Sequence, residues 1–361
     1  MFIQFASKFL SCRATVFVRP ALFLFLSISS ISCVHKLQLV ETDRIVSLPS
    51  ERGFDFCQGL EIGGYDYFVF ASFRTKKEVV LYNCHGEVYR RLSIDSLCRK
   101  EGIYLCDCYA TPNKIILREV GENRVFEIDH NGELLNRYDY TYLSDVCGMK
   151  IHRPKLHQDS VLFMVTDSYR LNMGINPTEA VLWKANLKRG SEIEPLIDSF
   201  FCRFLDKGYT CSDYPIFTIA DTSILIATAF CDTIYQYNLD GELVGLVPVD
   251  SRFFDAKIPS IPAERILDIN ETWMQNSWIE DIIYDPYRKV YYCVVNGPWK
   301  NERSRESDFS IIIYDSTLNP CAEQLFRGEL YKSLCYVGRD GLYIMKRSSG
   351  NKLVFSLFKI Q

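Results

Sequence analysis

One short pattern recurs along the chain: an apolar, strand-like segment ends in a glycine-centred turn, and a second such segment follows. It occurs at residues 79–88, 125–135 and 234–244, and in weaker form at 182–190 and 311–320. The turn glycines recur roughly every 50 residues, at Gly86, Gly132, Gly190 and Gly241. The recurrence indicates one hairpin-containing unit that the chain uses several times.

Other segments rich in β-branched and aromatic residues precede these hairpin arms, which is the pattern of short strands separated by turns. They are residues 65–73, 114–117, 160–165, 223–228, 289–295 and 341–345. The chain shows no convincing long amphipathic helix. We therefore predict an all-β fold, and the period favours a β-propeller over its alternative, a pair of β-sandwiches.

The segments fit six four-stranded antiparallel blades. We place them at residues 54–94, 102–140, 149–196, 214–249, 278–326 and 334–361, with an insertion at 251–276. The sixth blade has room for only three strands. Two free N-terminal segments, 35–40 and 44–48, can supply the fourth, so we expect the N-terminal strand to close the ring and cover an exposed edge.

The N-terminus has the features of a signal peptide. Lys8, Arg13 and Arg19 precede an apolar stretch at 21–31 that is shorter than the roughly 20 residues of a membrane-spanning helix. Small residues then lead into Cys33, as in a lipoprotein signal. We expect residues 1–32 to be removed, Cys33 to be lipidated, and residues 33–361 to form one domain anchored to the outer membrane of a bacterium, facing the periplasm or the surface. Ordinary secretion is the alternative.

Composition excludes some classes of partner. The net charge is −4 with no basic patch, so we expect no nucleic-acid binding. Hydrophobic residues make up 48% of the chain, enough for a large core, and we expect a monomer. Most of the fourteen cysteines are expected to be small core residues, although one or two disulfides are compatible with an exported chain.

A signal peptide that ends in Ser-Cys, followed by six irregular blades, resembles the lipoproteins of unknown function from Bacteroidetes-type bacteria. The stretch Trp278–Tyr292 is similar to a block typical of one such domain-of-unknown-function family, whose relatives include NHL- and TolB-like propellers. The resemblance covers residues 33–361 and implies fold and location. It implies no activity, so it transfers no catalytic residues.

The sequence contains no catalytic, nucleotide-binding or metalloprotease motif, and we predict neither a cofactor nor a metal. His152 and His157 fall in a segment that we interpret as a surface loop. Propellers bind ligands where loops surround the central channel. Charged residues at strand ends that could gather there around an anionic ligand are Arg74, Arg118, Glu119, Asp167, Arg170 and Arg347.

Trp273 and Trp299 belong to an aromatic-rich group in and around the insertion. Exposed aromatic rings there would stack on sugars or partner side chains, whereas buried ones would cap the core between blades. The leading hypothesis is a non-catalytic module that binds an envelope protein or glycan. The alternative is a lyase or hydrolase for a glycan or peptide at the channel, with Asp167 or Glu119 as its acid or base.

Overall fold

Six four-stranded antiparallel sheets are arranged as the blades of a propeller, so the predicted fold class is confirmed. The computed structural model describes residues 37–49, 55–73, 75–104, 106–119, 124–140, 151–158, 160–166, 180–188, 193–198, 215–255, 273–348 and 352–361. The signal segment, Cys33 and residues 256–272 of the predicted insertion lie outside these residues.

In each of blades 1 to 5, four consecutive strands run from the channel outward. Blade 1 contains β2 (Asp55–Ile62), β3 (Tyr65–Ser72), β4 (Glu78–Asn83) and β5 (Val88–Ser93). Blade 2 contains β6 (Cys106–Ala110), β7 (Ile115–Glu119), β8 (Arg124–Ile128) and β9 (Leu134–Asp139). Blade 3 contains β10 (Ile151–His157), β11 (Val161–Thr166), β12 (Ala180–Asn186) and β13 (Ile193–Asp198).

Blade 4 contains β14 (Ile216–Ile219), β15 (Ser223–Ala227), β16 (Thr233–Asn238) and β17 (Leu243–Pro248). Blade 5 contains β18 (Trp278–Asp285), β19 (Val290–Asn296), β20 (Phe309–Tyr314) and β21 (Pro320–Phe326). Blade 6 contains β22 (Tyr331–Gly338), β23 (Gly341–Lys346) and β24 (Lys352–Ile360), with β1 (Leu39–Pro49) as its outer strand. The helix α1 (Asp95–Glu101) connects blades 1 and 2.

Burial follows position in the blade. The second strands β7, β15 and β19 are buried along their whole length, because neighbouring blades cover both of their faces. The outer strands β5 and β17 are mostly exposed. This explains why the second strands are nearly continuous apolar runs in the sequence.

The N-terminal strand closes the ring as predicted. β1 pairs with β24 antiparallel, from Leu39 opposite Ile360 to Pro49 opposite Lys352. The two short segments expected here form one strand with an irregularity between Glu41 and Ile45. Within this irregular stretch, the Thr42 hydroxyl donates a hydrogen bond to the Leu357 carbonyl at 3.0 Å.

The ring closes a second time between the inner strands of blades 6 and 1. The Tyr336 ring of β22 lies against the backbone of Gly59 in β2, so closely that a Cβ on Gly59 would stand 1.5 Å from a ring atom. Asp66 accepts hydrogen bonds from the Tyr343 hydroxyl at 3.2 Å and from the Arg339 backbone amide at 2.8 Å. Blades 1 and 6 are therefore joined by close packing and by hydrogen bonds.

The expectation that His152 and His157 lie in a loop is wrong, because both belong to the inner strand β10. Pro154 within the segment argued against a strand. The pairing of β10 with β11 is irregular between His152 and Lys155, and an interrupted ladder tolerates the missing proline N–H.

The recurring turn between the third and fourth strands uses the same hydrogen bonds in four blades. In blade 1, the Asn83 Oδ1 accepts from the backbone amides of His85 at 2.9 Å and Glu87 at 3.0 Å. The equivalent residues of blades 2, 4 and 5 are Asp129, Asn238 and Asp315, and the Oδ1 of each accepts hydrogen bonds from two backbone amides. Such Asx turns explain why the pattern was visible in the sequence.

Two of the turn glycines provide a matched test of close packing. Gly241 and Gly132 have similar positive φ values of 85° and 89°, so a side chain strains both backbones equally. A Cβ would lie 2.2 Å from the Leu196 carbonyl oxygen at Gly241, but 3.5 Å from the Ser93 carbonyl oxygen at Gly132. We expect Gly241→Ala to lower the free energy of unfolding by about 1–3 kcal/mol more than Gly132→Ala.

Thermal and urea unfolding of the two variants measure this difference. Equal destabilisation would show that blades 3 and 4 are not packed as closely as described.

Candidate functional site

The two ends of the propeller carry connections of very different length. Strands alternate in direction, so the connections between blades and those between second and third strands share one end, which we call the elaborated end. The longest intervals between strands begin and end there: residues 94–105, 140–150, 167–179, 199–215, 249–277 and 297–308. Residues 105, 141–150, 167–179, 199–214 and 256–272 of these intervals lie outside the described residues. The other end, here the short-turn end, carries the first-to-second and third-to-fourth strand turns. Long loops on a rigid scaffold are the usual carriers of binding residues.

Contacts between blades tie the short-turn end together. Arg288 of blade 5 donates hydrogen bonds to the carbonyls of Gly338 at 2.8 Å and Arg339 at 3.1 Å in blade 6. The Tyr287 hydroxyl reaches Glu61 of blade 1, at 3.3 Å. Burial and the Glu61 charge raise the pKa of Tyr287, so this hydroxyl keeps its proton. The short-turn end thus has a structural role.

The predicted cluster of charged residues is only partly described. Arg74, Asp167 and Arg170 lie outside the described residues. The Arg118 side chain in β7 is fully buried, so it belongs to the interior of the blade stack. Arg347 donates through Nε to the Gly328 carbonyl and ties two connections at the elaborated end. Arg118 and Arg347 are therefore held in different settings, one buried in a blade and one bound to a carbonyl.

Glu119, the predicted acid or base, is engaged in an ion pair. It is buried, and its Oε2 lies 2.6 Å from both Nε and Nη2 of Arg124. Arg124 also donates to the Glu101 carbonyl at 2.9 Å. This arrangement joins the end of β7, the start of β8 and the end of α1.

Trp273 and Trp299 do come together. Their rings stack with centroids 5.7 Å apart and an angle of 17° between their planes, and Trp278 contacts both edge-on. Both are half-buried and pack on the core between blades 4 and 5. The Arg305 guanidinium lies 5.3 Å from the Trp299 ring centre. The arrangement favours the capping interpretation of the two residues.

The connection 297–308 forms a hairpin beside this cluster. Asn301 and Glu306 pair as an isolated bridge. Asp308 fastens its base, because its carboxylate accepts from Lys300 Nζ at 2.8 Å, Arg327 Nη1 at 3.3 Å and the Gly328 amide at 2.8 Å. Burial opposes the charge of Asp308, but these donors outweigh it and lower the pKa of the carboxyl group.

A polar niche at the channel, which the sequence analysis missed, lies between blades 5 and 6. Glu280 sits on the inner strand β18, where the register with β19 shifts between Ile279 and Asp281. Its Oε2 accepts hydrogen bonds from Trp278 Nε1 at 2.9 Å and Asn296 Nδ2 at 2.8 Å. Asn296 Nδ2 also lies 3.2 Å from Ser333 Oγ of blade 6. We call Glu280, Asn296 and Ser333 the channel niche.

The signal for this niche was present in the stretch Trp278–Tyr292. Two adjacent acids, Glu280 and Asp281, interrupt a strand that is otherwise apolar and aromatic. Adjacent side chains point to opposite faces of a regular strand. In β18 a bulge between Ile279 and Asp281 adds one residue and changes this alternation. Only the paired structure shows which residue bulges and what it meets.

Three further observations concern the described part of the chain. None of its helices is long and apolar enough to cross a membrane. Within the same residues, no group of three or more His, Cys, Asp or Glu side chains is placed to hold a metal ion. The cysteines with a described state, among them the buried Cys98, Cys231 and Cys293, are free thiols.

Comparison with known proteins identifies the fold. No family model and no curated protein matches the chain. A crystal structure of a DUF4221-family member from Bacteroides vulgatus matches with a TM-score of 0.69 and 17% identity, over 90% of this chain and 99% of that one. A Bacteroides fragilis protein described as exported matches with a TM-score of 0.51 and 10% identity, over 92% and 98%. The expected resemblance to Bacteroides propellers of unknown function is thus confirmed as a resemblance of fold.

The hairpin 297–308 is expected to loosen in acid. Because the pKa of Asp308 is lowered in the folded protein, its stabilisation is complete above the ordinary value of about 3.9 and is lost as the pH falls below it. Asp308→Asn should raise hydrogen exchange in residues 297–308 at neutral pH and remove the acid sensitivity. The control Asp240→Asn, in an exposed turn at the short-turn end, should exchange as the wild type does. Unchanged exchange in Asp308→Asn would contradict the role of this carboxylate.

Proposed function

We propose that this protein is an exported, lipid-anchored module of the bacterial cell envelope whose elaborated end binds an envelope protein or a glycan. The observation that carries the proposal is the asymmetry of the propeller. Arg288 and Tyr287 engage the short-turn end in hydrogen bonds to other blades, whereas the longest connections, the tryptophan cluster and the channel niche share the elaborated end. A rigid ring with one variable face is a common design for recognition.

The position of the proposed anchor supports this orientation. Leu39, the first residue of β1, pairs with Ile360 at the end of β24. It therefore occupies the place where the other blades carry their third-to-fourth-strand turn, on the side of the short-turn end. Six residues span at most about 20 Å, so a lipid at Cys33 keeps this side near the membrane and leaves the elaborated end accessible.

Replacing Cys33 tests the anchor. Wild-type protein expressed in a Bacteroides host should incorporate an alkyne-labelled fatty acid and sediment with membranes, because several acyl chains give firm attachment. Cys33→Ser should lose the label and leave the membrane fraction. A labelled Cys33→Ser protein, or an unlabelled wild type, would contradict lipidation at this residue.

Affinity capture from envelope extracts, together with a glycan array, tests the binding role. The double variant Arg303→Glu, Arg305→Glu changes the exposed tip of the hairpin at the elaborated end and should reduce capture of any specific partner at least tenfold. The matched control Glu242→Lys changes a turn at the short-turn end and should capture as the wild type does. Equal loss in both variants, or no specific partner, would count against the proposal.

The enzyme hypothesis remains a prediction. Of its two proposed acids, Glu119 is held by Arg124 and Asp167 lies outside the described residues. Nothing in the described geometry favours catalysis over binding, so the binding module is the function that we put forward.

A further inference from the structure

We propose that the channel niche recognises a primary ammonium group on a small ligand, with Glu280 and Asn296 as the recognising pair. This inference deepens the proposed binding function and rests on it. It assigns a chemical class to one position of the elaborated end, at the junction of blades 5 and 6. Three independent features of the niche carry it.

The first feature is the bulge at Glu280. The inner strand β18 starts at the elaborated end, so a bulge close to Trp278 lies at the channel mouth. Bulges re-aim a side chain and are frequent beside functional sites. Glu280 is exposed although it belongs to an inner strand, so its carboxylate is accessible to a ligand at this mouth.

The second feature is the amide of Asn296. Its side chain is 2% exposed, and Nδ2 is used by Glu280 and Ser333. Among the described residues, Asn296 Oδ1 has no hydrogen-bond partner. A buried acceptor without a donor costs about 1–3 kcal/mol. A ligand that brings a donor to this oxygen recovers that free energy.

The third feature is the charge of the niche. Glu280 and the adjacent Asp281 supply negative charge. Both charges interact electrostatically with Cys335 of β22. Burial, followed by the charges of Asp281 and Glu280, raises the pKa of the Cys335 thiol, so it stays neutral. A region with acceptors and negative charge is complementary to a cation that donates hydrogen bonds.

Geometry selects an ammonium group among such cations. Glu280 Oε2 accepts a hydrogen bond from Asn296 Nδ2 at 2.8 Å. Because Oδ1 is bonded to the same carbon as Nδ2, the carboxylate and the amide oxygen belong to one compact group. An ammonium group is a compact charge with three donors that can meet a carboxylate and an amide oxygen together, whereas a guanidinium needs a broader planar partner. Trp278 Nε1 already orients the carboxylate, which reduces the ordering cost of binding.

Paired ligands that differ only in the amine test the proposal on the full-length protein in detergent. Glucosamine is compared with N-acetylglucosamine, and a lysine-containing tripeptide is compared with its Nε-acetylated form, by titration calorimetry and ligand-observed NMR. We expect at least one free amine to bind and its acetylated counterpart to bind at least tenfold more weakly. The two pairs distinguish an amino sugar from a peptide as the source of the ammonium group.

Substitutions then place the amine in the niche. Glu280→Gln keeps the shape and removes the charge, so it should weaken amine binding about tenfold or more. Ser333→Ala should have a smaller effect in the same direction. Asp240→Asn, an equal change of charge at the short-turn end, should bind as the wild type does. Thermal unfolding of each variant confirms that the fold is retained.

Several outcomes would overturn the proposal. These are equal binding of amine and acetylated ligands, wild-type binding by Glu280→Gln, binding of Ca²⁺ or Mg²⁺ in place of the amines, and no amine binding at millimolar concentration. The last result would mean that a water molecule satisfies Asn296 Oδ1. Specific capture of an envelope partner alongside any of these would leave the binding module intact and remove only the ammonium assignment.

Discussion

The pairing of β1 with β24 is the contact on which the ring depends. Blade 6 has only three strands of its own, and without β1 the outer edge of β24 would be exposed as a template for aggregation. The pairing extends beyond the strands, because Gln38 and Gln361 exchange both backbone hydrogen bonds at 3.0 and 2.9 Å. The two ends of the described chain therefore hold each other, and the inner strands of blades 6 and 1 can meet through Tyr336 and Gly59.

Closure also creates the difference between the two ends. Because strands alternate in direction, the first-to-second and third-to-fourth strand turns lie on one side, and the longest connections lie on the other. At the short-turn end, Arg288 and Tyr287 of blade 5 form hydrogen bonds with residues of blades 6 and 1. At the elaborated end, Glu280 is exposed beside the bulge in β18 and accepts hydrogen bonds from Trp278 and Asn296. The two ends thus differ in structure because of one topology.

Local chemistry made much of the fold predictable. The turns at Asn83, Asp129 and Asn238 are stabilised by hydrogen bonds within five residues, so their signature survives in the sequence. Fully buried second strands such as β19 read as apolar runs for an equally direct reason. The β10 segment forms a strand although we expected a loop. A proline such as Pro154 is disfavoured in a regular strand, but the interrupted pairing of β10 with β11 accommodates it.

The candidate site was harder to predict because its residues are distant in the sequence. Strand-end position alone could not tell that Arg118 is buried and that Arg347 is bound to a carbonyl. Composition alone could not tell whether Trp273 and Trp299 face solvent or each other.

By itself, the sequence determined the repeat, the strand order within blades, the number of blades and the source of the closing strand, because these depend on period and on local hydrogen bonding. Only the tertiary structure decided that Glu280 bulges, that Asn296 and Ser333 meet it from another strand and another blade, and that the Asn296 oxygen is buried. Those facts depend on register and on the contact between blades 5 and 6, which no local pattern encodes.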